Sequence, residues 1–283
     1  MEYAITLPKN QKKMTIRELL EKEWLVPRKV RHFLRTRKNV RKNGELVMFH
    51  EYCRAGDIIT LVIEPTDYAY QTVALGNKNK ISVLYEDEHL IVVNKPTGVK
   101  THPNQPQEID TLLNDLAAYL AVKNQRPYVV HRLDKETSGA ILFAKNPLVL
   151  PILGRLLEQK SIYRRYQAVV AGNLDHDLTI TKKIGRDRHD RRKRIVDERN
   201  GQTAITHITV HHGGKKSQVY CQLETGRTHQ IRVHLKSIGH PIIGDPLYGS
   251  IKAPRLMLHA SEMHIEHPFS KEKLIITATP GLW

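Results

Sequence analysis

Apolar positions along the chain recur first with the period of a helix and then in short runs suited to strands. Thr15 stands where an N-cap belongs, with Glu18 three residues on, the arrangement of a capping box. Ile16, Leu19, Leu20 and Trp24 follow at helical spacing. Pro27 suits the first turn of a second helix carrying Val30, Phe33 and Leu34 on one side. Asn43-Gly44 marks a turn, and the run Asp57 to Ile63 ends this region as a strand. Residues 65–80 lack sustained periodicity and read as a linker. Beyond them strand-like runs recur at Ile81 to Tyr85, Leu90 to Val93, Tyr128 to Val130, Ala140 to Ala144, Tyr166 to Val170 and Leu274 to Thr277. Helical stretches are expected around Thr111 to Val122, Pro147 to Lys160 and Thr228 to Ile238, the last stopped by Gly239. These spacings are too uneven for a regular strand–helix alternation. They predict an α+β fold in which residues 81–283 build a mixed or antiparallel sheet, preceded by a small α/β module at 1–64.

Charge sharpens the picture. Lys and Arg total 45 against 29 acids, a formal net charge of +16, which favours a polyanionic partner, with nucleic acid ahead of anionic membrane. Between Trp24 and Gly44 lie eight basic residues and no acid: Arg28, Lys29, Arg31, Arg35, Arg37, Lys38, Arg41 and Lys42. Such a run is commonly a solvated face. Here it shares a short helix with a narrow apolar stripe, so the charges must project together and can meet phosphates without regard to sequence. Arg28, Lys29, Arg31, Arg35, Arg37 and Lys38 are therefore candidates for gripping a nucleic-acid backbone. A second stretch, Lys182 to Arg199, carries nine Lys or Arg and four acids, and both a solvated loop and an RNA contact stay open for it.

Other classes are excluded or disfavoured. No run of about 18 apolar residues appears, so a spanning helix is excluded. The N-terminus lacks the apolar centre of a secretory signal. Cys53 and Cys221 are far apart and read as ordinary reduced thiols, which together implies a cytoplasmic protein. The 16 histidines show neither H-E-x-x-H nor C-x-x-C company, so no metal is expected.

The segment that carries most information runs from Tyr128 to Lys145, YVVHRLDKETSGAILFAK. Two apolar runs flank a polar centre, so Asp134 begins a tight loop between two buried strands. "HRLDKETSG" resembles the signature of the RluA-type pseudouridine synthases. Further landmarks of that family follow the same order: "VLYEDEHLIVVNKPTGVKTHP" from Val83, "YRRYQAVVAG" from Tyr163, "LETGRTHQIRVHLKSIGHPIIGDPLYG" from Leu223, and "PRLMLHASEMHIEHP" from Pro254. Two departures are an Arg at 164 and a Lys at 183, where Lys and Pro are usual. Residues 14–63, with the basic second helix, the "KNG" turn and the closing "GDIITLVI", resemble a small RNA-binding domain of the S-four type, which the module at 1–64 is expected to be.

The resemblance implies isomerisation of uridine in structured RNA to pseudouridine, with large-subunit ribosomal RNA as the expected substrate and transfer RNA as another. It implies Asp134, Tyr166 and Arg232 as catalytic residues and Leu258, Arg132, Arg227 and His131 as substrate-binding ones. No cofactor and no obligate protein partner are implied. The chemistry agrees: breaking and remaking a glycosidic bond needs a carboxylate that stays ionised beside the sugar. An adjacent guanidinium favours that charge, the role given to Arg232. Tyr166 offers a ring to stack on uracil and a phenol for proton transfer. His131 also reads as a structural residue satisfying strand-end hydrogen bonds. Two other activities compete with the synthase reading: an inactive RNA-binding or ribosome-assembly factor of the same fold, and a glycosylase or nuclease using a carboxylate on nucleic acid.

Overall fold

The computed structural model describes residues 1–283 except 71, 106, 250, 282 and 283. The chain is α+β, as the patterning predicts. A ten-stranded mixed sheet forms its centre, antiparallel except where Ser138–Ala144 runs parallel to Leu258–Glu266. From one edge the main path runs Leu178–Ile180, Thr206–His212, Lys216–Leu223, Tyr163–Ala171, Leu258–Glu266, Ser138–Ala144, Leu90–Lys95 and Val83–Glu86. Lys273–Thr277 pairs on Leu258–Glu266, and Tyr128–Val129 on Ser138–Ala144.

The apolar runs near 90 and 140 are uninterrupted because both faces of these strands are covered. Leu90, Val92, Ala140, Leu142 and Ala144 enter one apolar cluster, while Ile91, Val93, Ile141 and Phe143 enter the other. The second cluster lies under the helices Leu112–Ala121 and Gln230–Ser237. Along Leu258–Glu266 the buried positions change face: Leu258 and Ala260 join the second cluster, Met263 and Ile265 the first. The switch falls at an irregularity opposite Arg165 and Tyr166, where the register of the neighbouring strand shifts.

The parallel pair brings two backbones unusually close. A Cβ on Gly139 (φ +113) would lie 2.5 Å from the Ala260 backbone N, so only glycine fits there. That close approach holds the start of Ser138–Ala144, and the polar loop before it, against the first residues of Leu258–Glu266.

The N-terminal region carries its own four-stranded sheet, in the order Glu2–Thr6, Ile58–Val62, Val40–Lys42, Glu45–Leu46. The capping box at Thr15 forms with both reciprocal bonds. After one α-turn, Ile16–Glu18, the chain widens into a π-type turn at Leu19–Glu23, which drives Leu19, Leu20 and Trp24 inward. The basic helix spans Arg28–Thr36 and buries Val30 and Leu34. This region shares its apolar cluster with the large sheet and with helix Leu150–Glu158. Trp24 meets Phe269 edge-on at 5.4 Å, and Arg155 donates to the carbonyls of Lys22 and Glu23.

Within residues 65–80, read as a linker, the stretch from Ala74 to Asn77 lies against helix Leu112–Ala121. Gly76 N donates to Asn114 O (2.9 Å), Asn77 N to Asp115 Oδ1 (2.7 Å), and Asn114 Nδ2 to Ala74 O (2.8 Å). The missing periodicity reflects backbone held by polar contacts. No helix among the described residues is long and apolar enough to cross a membrane.

Candidate active site

The Asp134 loop is fixed from behind by the segment Lys95 to Thr101. The Thr101 hydroxyl donates to Leu133 O at 2.8 Å and accepts from Leu133 N at 3.2 Å. Thr97 Oγ1 donates to Glu136 O at 2.7 Å. The fully buried Lys95 donates to three carbonyls, Pro96 O (2.8 Å), Val99 O (2.6 Å) and Lys135 O (3.0 Å). Three acceptors match the three donors of an ammonium. Burial pulls its pKa down to about 7, against the opposing pull of Asp134 and Glu136. The patterning gave no sign of Lys95, because a lysine ending an apolar strand reads as a surface residue.

Arg232 sits in the helix Gln230–Ser237, with its side chain 2% exposed. Its nearest partner is Asp245, which it grips with two bonds: Nε to Oδ2 at 2.8 Å and Nη2 to Oδ1 at 2.7 Å. The third nitrogen, Nη1, reaches Asp134 Oδ2 at 3.4 Å. The expected Arg232–Asp134 contact is present, yet it is the longer arm of a three-residue system. Burial works against the guanidinium charge, but Asp245 and Asp134 outweigh it and hold the Arg232 proton more tightly than usual. For Asp245 burial likewise opposes ionisation, and Arg232 with the Leu247 and Tyr248 N–H groups reverses this and lowers its pKa. Asp245 was hidden in the sequence because an aspartate in "GDP" reads as a turn residue.

Asp134 and Arg232 wall one cavity of about 260 Å³, lined also by His131, Arg132, Tyr166, Arg227 and Leu258 among others. All seven residues assigned to catalysis and substrate are thus brought together from four separate stretches. Tyr166 is 5% exposed, on the strand Tyr163–Ala171. Its phenol pKa is raised by burial and by Asp134, with Arg164 pulling the other way. Leu258, 3% exposed, closes the apolar side. Arg132 and Arg227 are exposed at the rim, and Arg227 Nε donates to Thr203 O at 3.0 Å. His131 accepts a hydrogen bond from Leu142 N at 3.2 Å through Nε2, so its structural role is real while its ring also lines the cavity. Burial and Arg164 depress its pKa to about 3, which keeps it neutral.

A second opening on the same loop is lined by Lys100, His102, Arg132, Lys135 and Arg192 together with Asp134. Arg192 belongs to the basic stretch 182–199, which folds as a hairpin, Ile184–Arg186 with Arg194–Val196. Ile184 packs in a small cluster with Val233 and Tyr248, which holds the hairpin against the site helix.

Of the six backbone-gripping candidates, all but Arg31 are exposed. Two of the six are engaged by acids. Arg31 pairs with Glu21, and Arg37 holds the buried Asp67 at 2.8 Å and Glu64 at 3.4 Å. Those acids lie outside the acid-free stretch, so only the tertiary fold supplies them.

A family model described as RNA pseudouridylate synthase matches residues 89–237, and one described as the RluD ribosomal pseudouridine synthase N-terminal domain matches residues 3–59. An uncharacterised RNA pseudouridine synthase of Bacillus subtilis is 39% identical over 250 residues, covering 85% of this chain and 81% of that protein. A ribosomal large subunit pseudouridine synthase D of Nitrosomonas europaea is 39% identical over 236 residues, 78% of this chain and 67% of that protein. Among solved structures, human RNA pseudouridylate synthase domain containing 1 aligns with a TM-score of 0.60 at 28% identity, over 72% of this chain and 85% of that one.

Proposed function

We propose large-subunit ribosomal RNA as the substrate of this chain, which belongs to the RNA pseudouridylate synthase family and is an RNA pseudouridine synthase. The name of the Nitrosomonas relative and the match to a ribosomal synthase N-terminal domain support that substrate. The cytoplasm follows as the compartment where such RNA is modified, and two buried free cysteines fit it.

The reaction breaks the bond from ribose C1′ to uracil N1, turns the base, joins C1′ to C5, and moves the C5 proton out as N1 gains one. The observation that carries the residue assignment is the convergence of Asp134, Tyr166 and Arg232 on one cavity. Asp134 supplies the carboxylate beside the sugar, as nucleophile or as the base that relays a ribose proton. Arg232, anchored by Asp245, pairs with it and orients it. Tyr166 stacks on the uracil and serves the C5 proton transfer, and Leu258 packs on the base. Extruding a stacked uridine costs a few kcal/mol. Arg132 and Arg227 at the rim offset part of that by holding the backbone, with Arg28, Lys29, Arg35 and Lys38 acting further out.

Asp134→Asn tests the assignment, because it keeps the shape and removes the charge. Tritium release from C5-tritiated RNA should vanish while RNA affinity stays within several-fold. Appreciable turnover by this variant would refute it.

A further inference from the structure

We infer that His229 is a positioning residue for the reaction, holding one oxygen of Asp134 together with Arg232 so that the other oxygen, Oδ1, is the one presented to substrate. The inference rests on the reading of Asp134 as the reacting carboxylate.

Three observations support it. First, two cationic or N–H-bearing side chains approach the same oxygen. Arg232 Nη1 lies 3.4 Å from Asp134 Oδ2, and His229 Nε2 lies 3.9 Å from that same Oδ2. Among the described residues no hydrogen bond reaches Oδ1. A carboxylate held through one oxygen keeps a fixed rotamer and leaves the lone pairs of the other free.

Second, the hydrogen-bond chain behind His229 sets its tautomer. Tyr248 Oη accepts from Arg194 N at 2.7 Å and lies 2.9 Å from His229 Nδ1. With the phenol oxygen already accepting, its own proton goes to Nδ1, which leaves the imidazole proton on Nε2, facing Asp134. Burial, and Arg232 beside it, lower the His229 pKa against the pull of Asp134, so the neutral ring is the form that does this. The 3.9 Å gap exceeds a hydrogen bond, as is common before substrate closes a site.

Third, the backbone at this position is unusual. His229 has φ 58° and ψ 20°, a left-handed conformation that residues with a Cβ adopt at a cost, directly before the helix that carries Arg232. The conformation turns the ring into the cavity, whose wall it shares with Asp134 and Arg232.

Two substitutions separate positioning from backbone accommodation. Glutamine carries an amide nitrogen near the place of His Nε2 but suits a left-handed backbone poorly. Asparagine suits that backbone well but stops short of Asp134. The assay is tritium release from C5-tritiated total RNA of a strain lacking the protein, with thermal midpoints measured alongside. His229→Asn should keep its thermal midpoint and KM and lose about 10- to 100-fold in kcat, the scale of a mis-set reacting group. His229→Gln should recover most of that kcat, even with a lower midpoint. If it does not fold, the stable Asn variant decides alone. Wild-type kcat in His229→Asn, a change confined to KM, or Asn outperforming Gln would each overturn the inference. Turnover by Asp134→Asn would instead sink the reading beneath it.

Discussion

Replacing Asp245 by Asn tests the three-residue system at its buried end. The Asp245 side chain is 0% exposed and Arg232 is 2% exposed, so the guanidinium depends on protein partners alone. Asn keeps the volume and an acceptor for the Leu247 and Tyr248 N–H groups, which Asp245 Oδ1 holds at 2.9 and 3.1 Å. It removes the negative charge from a bidentate pair. Breaking a buried pair by removing one partner costs about 3–5 kcal/mol, and the retained acceptor puts this case near about 3. At about 2–4 °C per kcal/mol for a chain of a few hundred residues, the midpoint should fall by roughly 6–12 °C. Turnover should fall too, because Arg232 loses its anchor and its charge is left to Asp134 alone. Thermal unfolding and tritium release read the two effects. Arg232→Met in the Asp245→Asn background should cost less than the sum of the single changes, since the orphaned charge is then gone. A midpoint within about 2 °C of wild type and unaltered turnover in Asp245→Asn would refute the reasoning.

Two further predictions concern acid stability and RNA grip. Burial depresses His89 and His259 to about 4 and His131 to about 3, with the Arg164 charge also lowering His131. The unfolded chain binds these protons below its ordinary histidine pKa and the folded one does not. Stability is therefore complete above about pH 6.5 and is lost as pH falls toward the folded values, by roughly 4 kcal/mol for the three at pH 5.5. Urea midpoints that do not change between pH 7.5 and 5.5 would contradict this. Replacing Arg28, Lys29, Arg35 and Lys38 by Ala should lower the salt slope of RNA affinity by up to about 0.7–0.9 for each phosphate no longer neutralised, whereas Arg31→Ala should act mainly on stability. An unchanged slope in the quadruple variant would show that this face does not touch RNA.

Deleting residues 1–64 is not a clean test of that module. Trp24 and its neighbours are packed on Phe269 and on the helix Leu150–Glu158, so truncation would expose apolar surface on the large sheet. Charge substitutions on the exposed side of Arg28–Thr36 avoid this.

Local order and the identity of the chemistry were legible in the sequence, because both depend on residues close together. The capping box at Thr15, the helix 112–121 and the stop at Gly239 are set by interactions within a few positions, and the local pattern of residues reports them directly. The loop of Asp134 shows in its string of residues but is held by the distant segment Lys95 to Thr101. The reactive groups stand in strings long enough to be recognised. Paired strands without an apolar run were not legible: Thr206–His212 and Lys216–Leu223 are strands through their neighbours, with polar side chains on the outward face. What the tertiary structure alone decided is which charges meet. Arg232 takes Asp245 first and Asp134 second, Arg31 and Arg37 are claimed by acids outside their own basic stretch, and Lys95 is buried behind the Asp134 loop. Burial and partner choice depend on the whole fold, since desolvation sets whether a charge must be paired and only three-dimensional proximity supplies the pair.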